Sequence, residues 1–206
     1  MKILAFTDTH CDTQSLQEVK IKAQNADLII CLGDITWFEE GMEEMLKLIN
    51  DLPRPVILLH GNHERLEDLK QSAKKHNNIT VTHKEVHAIG EYDFLTFGGD
   101  GFSRRDPEFE NIKQYFKKKI RDPKKTILLL HAPPHNTKLD IPFEDYHSGS
   151  LSYRKFIEET QPALVLSGHI HEGEGLFDFI NESLCKNPGI FGEIIDLDNL
   201  QKKEQK

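Results

Sequence analysis

The chain has 206 residues, of which 37% are hydrophobic and 29% charged, and carries a formal net charge of −8. This composition excludes collagen, low-complexity disorder and a membrane-embedded protein, and the longest apolar runs (28–32, 56–59 and 127–130) fall far short of the roughly 20 residues that span a bilayer. The negative balance argues against a broad basic surface that would hold a nucleic-acid polymer, but leaves room for a small anion at a locally positive site.

Residues 2–6 read as a strand, and 13–24 as a helix built around Leu16, Val19 and Ile21. Residues 27–32 read as a buried strand, and Met42, Met45, Leu46 and Ile49 predict a helix over 39–50. A strand over 55–59 precedes a charged helix over 64–76 with Leu66 and Leu69 inward. This alternation predicts βαβ units and a largely parallel sheet. Across 79–99 the pattern changes: apolar segments 86–89 and 92–97 flank Gly90 and predict an antiparallel hairpin. A helix over 108–121, a strand over 125–130, a helix over 151–160 and a strand over 163–166 follow, then short strands over 176–180, 184–187 and 192–197. At roughly 150 residues per domain, one domain over 1–200 with a polar tail over 201–206 is expected. The loops 98–107 and 132–150 are long, and long loops in compact domains often carry function. Cys11, Cys31 and Cys185 form no CxxC pair and are odd in number, which predicts no disulfide framework and a reducing cytoplasm. The N-terminus turns polar too soon for a signal peptide.

Five of the apolar runs end in polar residues of one kind. Residues 2–6 lead into Thr7-Asp8-Thr9-His10, 27–32 into Gly33-Asp34, and 56–59 into His60-Gly61-Asn62-His63-Glu64. The run 127–130 leads into His131, and 163–166 into Ser167-Gly168-His169-Ile170-His171. The carboxyl edge of such strands is where open α/β sheets bind ligands. Asp, His and Asn suit a borderline divalent cation. The i, i+2 spacing of Asp8 with His10 and of His169 with His171 would point both members of a pair the same way in extended chain. Gly33, Gly61 and Gly168 would let the backbone turn sharply before Asp34, Asn62 and His169. The candidate ligands Asp8, His10, Asp34, Asn62, His131, His169 and His171 suffice for two cations if one carboxylate is shared. Singly, each block has a plainer reading. Gly-Asp is usually a turn, a lone His is usually structural, Asp8 could cap a helix, and 61–64 could be a loop with an acidic helix start. All of these would have to coincide at one sheet edge.

These blocks closely resemble the series D-x-H, G-D, G-N-H-[DE], H and G-H-x-H of the calcineurin-like metallophosphoesterase family, in the same order, across residues 8–171. Asn187-Pro188-Gly189 is similar to the N-P-G of small prokaryotic members. The resemblance implies an α/β fold, a four-layer αββα sandwich of two mixed β-sheets with the metals at the strand carboxyl ends. It implies one cation on Asp8, His10 and His171, a second on Asn62, His131 and His169, and Asp34 bridging them. His63 would bind no metal and would act as general acid or charge stabiliser. Manganese, iron, nickel, cobalt and zinc all suit such ligands.

The implied activity is metal-dependent phosphoester hydrolysis. A phosphodiesterase acting on small diesters comes first, a phosphomonoesterase or phosphoprotein phosphatase second, and a non-catalytic scaffold third. Two dications outweigh Asp8 and Asp34, so the site would be positive within an acidic protein and would supply hydroxide near neutral pH for attack on phosphorus. The expected partner is a small phosphorylated substrate, with no membrane and no nucleic-acid polymer. Arg104 and Arg105 are candidates for contact with the phosphate or a base, and Phe102 for stacking; a solvated or locally packed loop is the plainer reading. His135 and His147 are candidates for the pocket rim. Cys11 stands where many family members have Gly, and its plainer role is a small buried filler.

Overall fold

The computed structural model describes residues 1–99, 101–144 and 146–200; the expected polar tail lies outside the described residues. The first sheet has the order β11 (Glu193–Asp196), β1 (Lys2–Phe6), β2 (Leu28–Cys31), β3 (Val56–Leu58) and β4 (Ile79–Val81). All its neighbours are parallel except β11, which pairs antiparallel with β1. The second sheet has the order β5 (Glu85–Ile89), β6 (Tyr92–Phe97), β7 (Thr126–Leu130), β8 (Leu164–Leu166), β10 (Ser183–Lys186) and β9 (Phe177–Ile180). Its inner strands are parallel, and the pairs β5–β6 and β9–β10 are antiparallel. Both sheets are therefore mixed.

Central strands are apolar at nearly every position because both of their faces are covered. Successive side chains point to opposite faces, and the three cores follow that alternation. Leu4, Phe6, Ile29, Cys31 and Leu58 pack outward against α1 (Thr13–Ala23), α2 (Met42–Asn50) and α3 (Leu66–Ala73). Ile3, Ala5, Ile30, Ile57, Phe94, Ile127 and Leu129 fill the space between the sheets. Leu95, Phe97, Leu128, Leu130 and Val165 pack against α4 (Pro107–Lys119) and α5 (Leu151–Thr160) through Phe109, Phe116, Tyr153 and Phe156. The result is the helix–sheet–sheet–helix layering that the resemblance implies.

Several expectations change at element ends. The helix over 39–50 begins only at Met42, because Phe38 and Glu39 take left-handed φ of 48° and 69° and turn the chain first. The helix over 64–76 is the shorter α3, because Glu64 is drawn inward to backbone donors. Ile21 is 72% exposed; the buried face of α1 is Ser15, Leu16, Val19 and Ala23. The hairpin is present as β5–β6, but residues 79–81 leave it and join the first sheet beside β3. Among the described residues no helix is long and apolar enough to cross a membrane. The three cysteines are free.

Candidate metal centre

β1, β2 and β3 of one sheet and β7 and β8 of the other end at a common edge, and the polar blocks meet there. After β1 the chain runs beside the segment after β2: Asp8 N–H donates to Gly33 O, His10 N–H to Asp34 O and Cys11 N–H to Ile35 O, each at 3.0 Å. Asp12, not Asp8, caps α1, accepting from Gln14 N–H and Ser15 N–H. That leaves Asp8 for the cleft. The expected extended geometry is not what aligns Asp8 with His10. Asp8, His10 and Cys11 all have left-handed φ (53°, 43° and 65°), as do Asp34 (51°) and His169 (68°). His171 opens a short 3-10 turn, so the second His pair is not extended either. Residues other than glycine are uncommon in this region, and clustered local strain is typical of functional sites.

The tight packing explains two of the glycines by close approach. A Cβ on Gly61 would lie 1.9 Å from Asp34 Oδ1, and one on Gly168 would lie 2.1 Å from Thr7 Oγ1 and 2.2 Å from Asp8 Oδ2. Asp8 Oδ2 accepts from Thr7 Oγ1 (2.5 Å) and His169 N–H (2.9 Å). Asp8 Oδ1 is buried with no hydrogen-bond partner among the described residues, and faces His171 Nε2 at 3.8 Å and His10 Nε2 at 4.0 Å. Asp34 Oδ1 accepts from His63 N–H at 2.9 Å. Its Oδ2 faces His131 Nε2 at 3.4 Å, His63 Nε2 at 3.9 Å and His10 Nε2 at 4.0 Å. Asn62 Oδ1 lies 3.0 Å from His131 Nε2.

Among the described residues three groups could each hold a cation: Asp8–His10–His171, Asp34–His131–His169 and His10–Asp34–His63. The donor set fits divalent metals on its own geometry. An orphaned buried carboxylate oxygen facing two imidazoles calls for a cation, and two histidines are oriented by their other nitrogen. His10 Nδ1 donates to Thr36 O and His131 Nδ1 to Leu32 O, both at 3.0 Å, which turns both Nε2 atoms into the cleft.

Electrostatics follow from burial and contact. Burial alone would raise the Asp34 carboxyl and lower the His131 imidazole, but their mutual contact reverses both. The His131 charge, helped by the His63 N–H, holds Asp34 well below the usual carboxylate range, and Asp34 with Asp8 raises His131 to about 9. Burial and the neighbouring His131 push His169 down to about 4. Burial also lowers His10.

Glu64 belongs to the sequence block, where it reads only as an acidic helix start. It is buried and accepts from Asp34 N–H, Gly61 N–H, Thr36 N–H and Thr36 Oγ1 at 2.8–3.0 Å, so it fixes the turns that carry Asp34 and Asn62. Burial raises its pKa. Glu64→Ala leaves these buried donors unpaired and is expected to destabilise the fold by about 3 kcal/mol, read by denaturant unfolding. Asn187 is a second brace. Its Oδ1 accepts from Gly189 N–H and its Nδ2 donates to Ile170 O, while Gly189 O receives Thr7 N–H, tying the 168–171 segment to the end of β1.

Composition and spacing do not single out Trp37 and Phe38. Trp37 stacks on His10 with centroids 3.9 Å apart and a 17° interplanar angle. The Phe38 ring lies 4.3 Å from the His63 ring, and its backbone N–H donates to His63 Nδ1 at 3.3 Å. No periodic pattern marks either residue, since both sit in an irregular turn. Phe102 meets His169 edge-on at 5.2 Å. Of the arginine candidates, Arg104 pairs with His135 Nε2 at 3.3 Å, and Arg105 borders a separate cleft with Glu110, Lys113 and Lys155. His135 and His147 flank the buried Asp140, with His147 Nδ1 at 2.7 Å, and so order the 132–150 loop. Cys11 Sγ donates to Glu40 O at 3.2 Å, and its left-handed φ is one that glycine takes without strain.

A cleft of about 310 Å³ opens beside the first group, lined by Asp8, His10, Asp12, Trp37, His171 and Glu174 among others.

Comparison with known proteins places the fold and the family. The uncharacterized protein MJ1162 of Methanocaldococcus jannaschii is 32% identical over 203 residues, covering 91% of this chain and 88% of that protein. The crystal structure of TT1561 of Thermus thermophilus superposes with a TM-score of 0.74 at 18% identity, covering 97% of this chain and 96% of that one. A novel archaeal phosphodiesterase superposes with a TM-score of 0.54 at 18% identity, covering 92% of this chain and 84% of that one. At such identities the two structures establish a shared fold. The family model for calcineurin-like phosphoesterases matches residues 1–173, so the chain belongs to the calcineurin-like phosphoesterase family.

Proposed function

We propose that the protein is a dinuclear metal-dependent phosphodiesterase acting on small diesters in a reducing cytoplasm. The observation that carries this reading is the position of Asp34 Oδ2, which faces His131 of one ligand group at 3.4 Å and His10 of the other at 4.0 Å, with His63 Nε2 at 3.9 Å. Asp8, His10 and His171 would hold one cation, Asn62, His131 and His169 a second, and Asp34 would serve both. When bound, such cations supply Lewis acidity and a water acidified toward neutral pH.

The protein's own groups do the rest. Phe38 N–H occupies His63 Nδ1, so the neutral ring carries its proton on Nε2, the atom facing the cleft. That proton would pass to the departing alkoxide oxygen. The cleft beside the first group is lined by the acids Asp12 and Glu174 and by no Lys or Arg among the described residues. A phosphodiester carries one negative charge where a monoester carries two near neutral pH, so this lining favours the diester. The fold match to a protein described as an archaeal phosphodiesterase is in keeping with that preference.

The test is a hydrolysis panel of bis-p-nitrophenyl phosphate, p-nitrophenyl phosphate and cyclic nucleotides, with the protein loaded in turn with manganese, iron, nickel, cobalt or zinc. Turnover of diesters above monoesters is expected. A monoester preference would reverse the substrate reading, and silence across the panel with metal bound would favour a scaffold.

Metal loading has its own signature. A raised imidazole pKa favours protonated, folded chain. In metal-free protein the His131–Asp34 contact therefore adds stability that is fully present from above the ordinary carboxylate range up to pH 6.5 and is lost as pH rises through about 9. A cation on Nε2 requires neutral imidazole. Loading with zinc at about pH 7.5 is expected to release close to one proton per chain from His131, measured by calorimetry in buffers of different ionisation enthalpy. Loading without proton release would remove His131 from the ligand set.

A further inference from the structure

We propose that the Trp37–Phe38 turn is a subsite for a flat aromatic group carried on the phosphoester; this rests on the phosphoesterase reading above and names the substrate class. Phe38 and Glu39 are consecutive left-handed residues between the bridge-paired Trp37 and Glu40, with Glu40 N–H donating to Trp37 O at 3.0 Å. A two-residue turn with positive φ at both central positions normally selects Asn-Gly, Asp-Gly or Gly-Gly. Here it holds an aromatic residue and a glutamate, and the strain is kept in place by several fastenings. Glu39 N–H donates to Thr36 Oγ1 at 3.1 Å, Glu39 Oε1 accepts from Arg65 N–H at 2.9 Å, and Phe38 N–H donates to His63 Nδ1.

The strain does not serve burial. The Phe38 side chain is 74% exposed and Trp37 47% exposed, although each lies against a histidine of the metal centre. A large apolar ring held in a strained turn and left in water contributes little to folding, and such outliers point to function. Trp37 is also part of the wall of the cleft beside Asp8, His10 and His171. Phe102, 76% exposed and edge-on to His169, places a further ring beside the second group. A planar group entering next to His63 would take these rings out of water and stack on them. Base–aromatic stacking is tolerant of which base is present, because every base offers a π face. An alkyl substituent would gain less.

Trp37 is the chain's one tryptophan, so its emission reports directly on the subsite. The full chain is loaded with zinc, a closed-shell ion, and titrated with adenosine 5′-monophosphate, ribose 5-phosphate, phenyl phosphate and n-butyl phosphate. Each aromatic ligand is expected to bind about tenfold tighter than its non-aromatic partner, with quenching of Trp37 emission. The adenosine pair and the phenyl pair separate a nucleobase preference from a general aryl preference. Phe38→Ala and Phe38→Leu, the second keeping apolar bulk without a flat ring, are expected to bring the ratios to within about threefold, the remainder coming from Trp37 stacking. Thermal melts confirm that both variants fold. Equal binding of all four ligands to the unaltered chain overturns the subsite and leaves the phosphoesterase reading standing, as do ratios unchanged in both folded variants. Failure of all four to bind overturns the subsite even where the hydrolysis panel is active, and with a silent panel it overturns both.

Discussion

Asp34→Asn is expected to lower metal content at both positions and to reduce diester turnover by at least about 100-fold. The two oxygens of Asp34 have separate tasks. Oδ1 receives His63 N–H at 2.9 Å, and Oδ2 faces the Nε2 atoms of His131, His63 and His10 at 3.4–4.0 Å. Asparagine can keep the first contact through its amide oxygen, so the backbone after β3 should hold its path. The amide nitrogen would then sit where a cation needs an anionic oxygen, and a neutral group gives up charge neutralisation for both ligand groups at once. Elemental analysis of protein loaded with manganese or zinc distinguishes the outcomes. Loss at both positions supports the shared carboxylate; loss at one makes Asp34 an ordinary ligand of that position; full occupancy contradicts the assignment. Thermal unfolding of the metal-free variant provides a control, because Asp34 also stabilises the charged form of His131.

His63→Ala is expected to retain metal while losing about 100- to 10,000-fold in turnover of alkyl diesters, with a smaller loss for p-nitrophenyl leaving groups. The leaving group decides the size of the effect. A p-nitrophenolate departs without a proton, whereas an alkoxide needs one, and in the proposed mechanism His63 Nε2 would supply it. His63 also lies within the His10–Asp34–His63 group, so metal content is the deciding measurement. Reduced metal in His63→Ala would make it a ligand, and unchanged turnover of an alkyl diester would remove it from the chemistry. The Phe38 N–H contact adds a further expectation. Changes in the 37–40 turn that release His63 Nδ1 should lower turnover of alkyl diesters, because the tautomer is then free.

Much of the centre could be read from residue order. Asp8, His10, Asp34, Asn62, His63, His131, His169 and His171 each follow an apolar run, and the strands β1, β2, β3, β7 and β8 carry them all to one edge. Parallel strands share a carboxyl end, so local sequence at the end of each run is already information about a common place. The i, i+2 spacing is not what groups these residues: Asp8 and His10 share a group through left-handed turns and not through extended chain, whereas His169 and His171 fall in different groups. Arg104 and Arg105 look alike as loop cations in the sequence, and the structure separates them: Arg104 meets His135, and Arg105 borders another cleft. Glu64 is visible as a letter of its block, but its task of holding three backbone N–H groups is not, because those donors come from residues 34, 36 and 61.

By itself, then, the sequence determined which runs become strands, that both faces of the central ones are covered, and which polar residues are offered at their ends. Those properties are local: they depend on periodicity, on apolar content and on the residue that follows each run. Tertiary structure alone decided that β11 returns to lie beside β1, that β4 leaves the hairpin for the other sheet, and that Trp37 lies against His10 while Phe38 lies against His63. Such pairings join residues far apart in the chain, and their free energy comes from the shared burial and hydrogen bonding of the assembled layers, which no single segment contains.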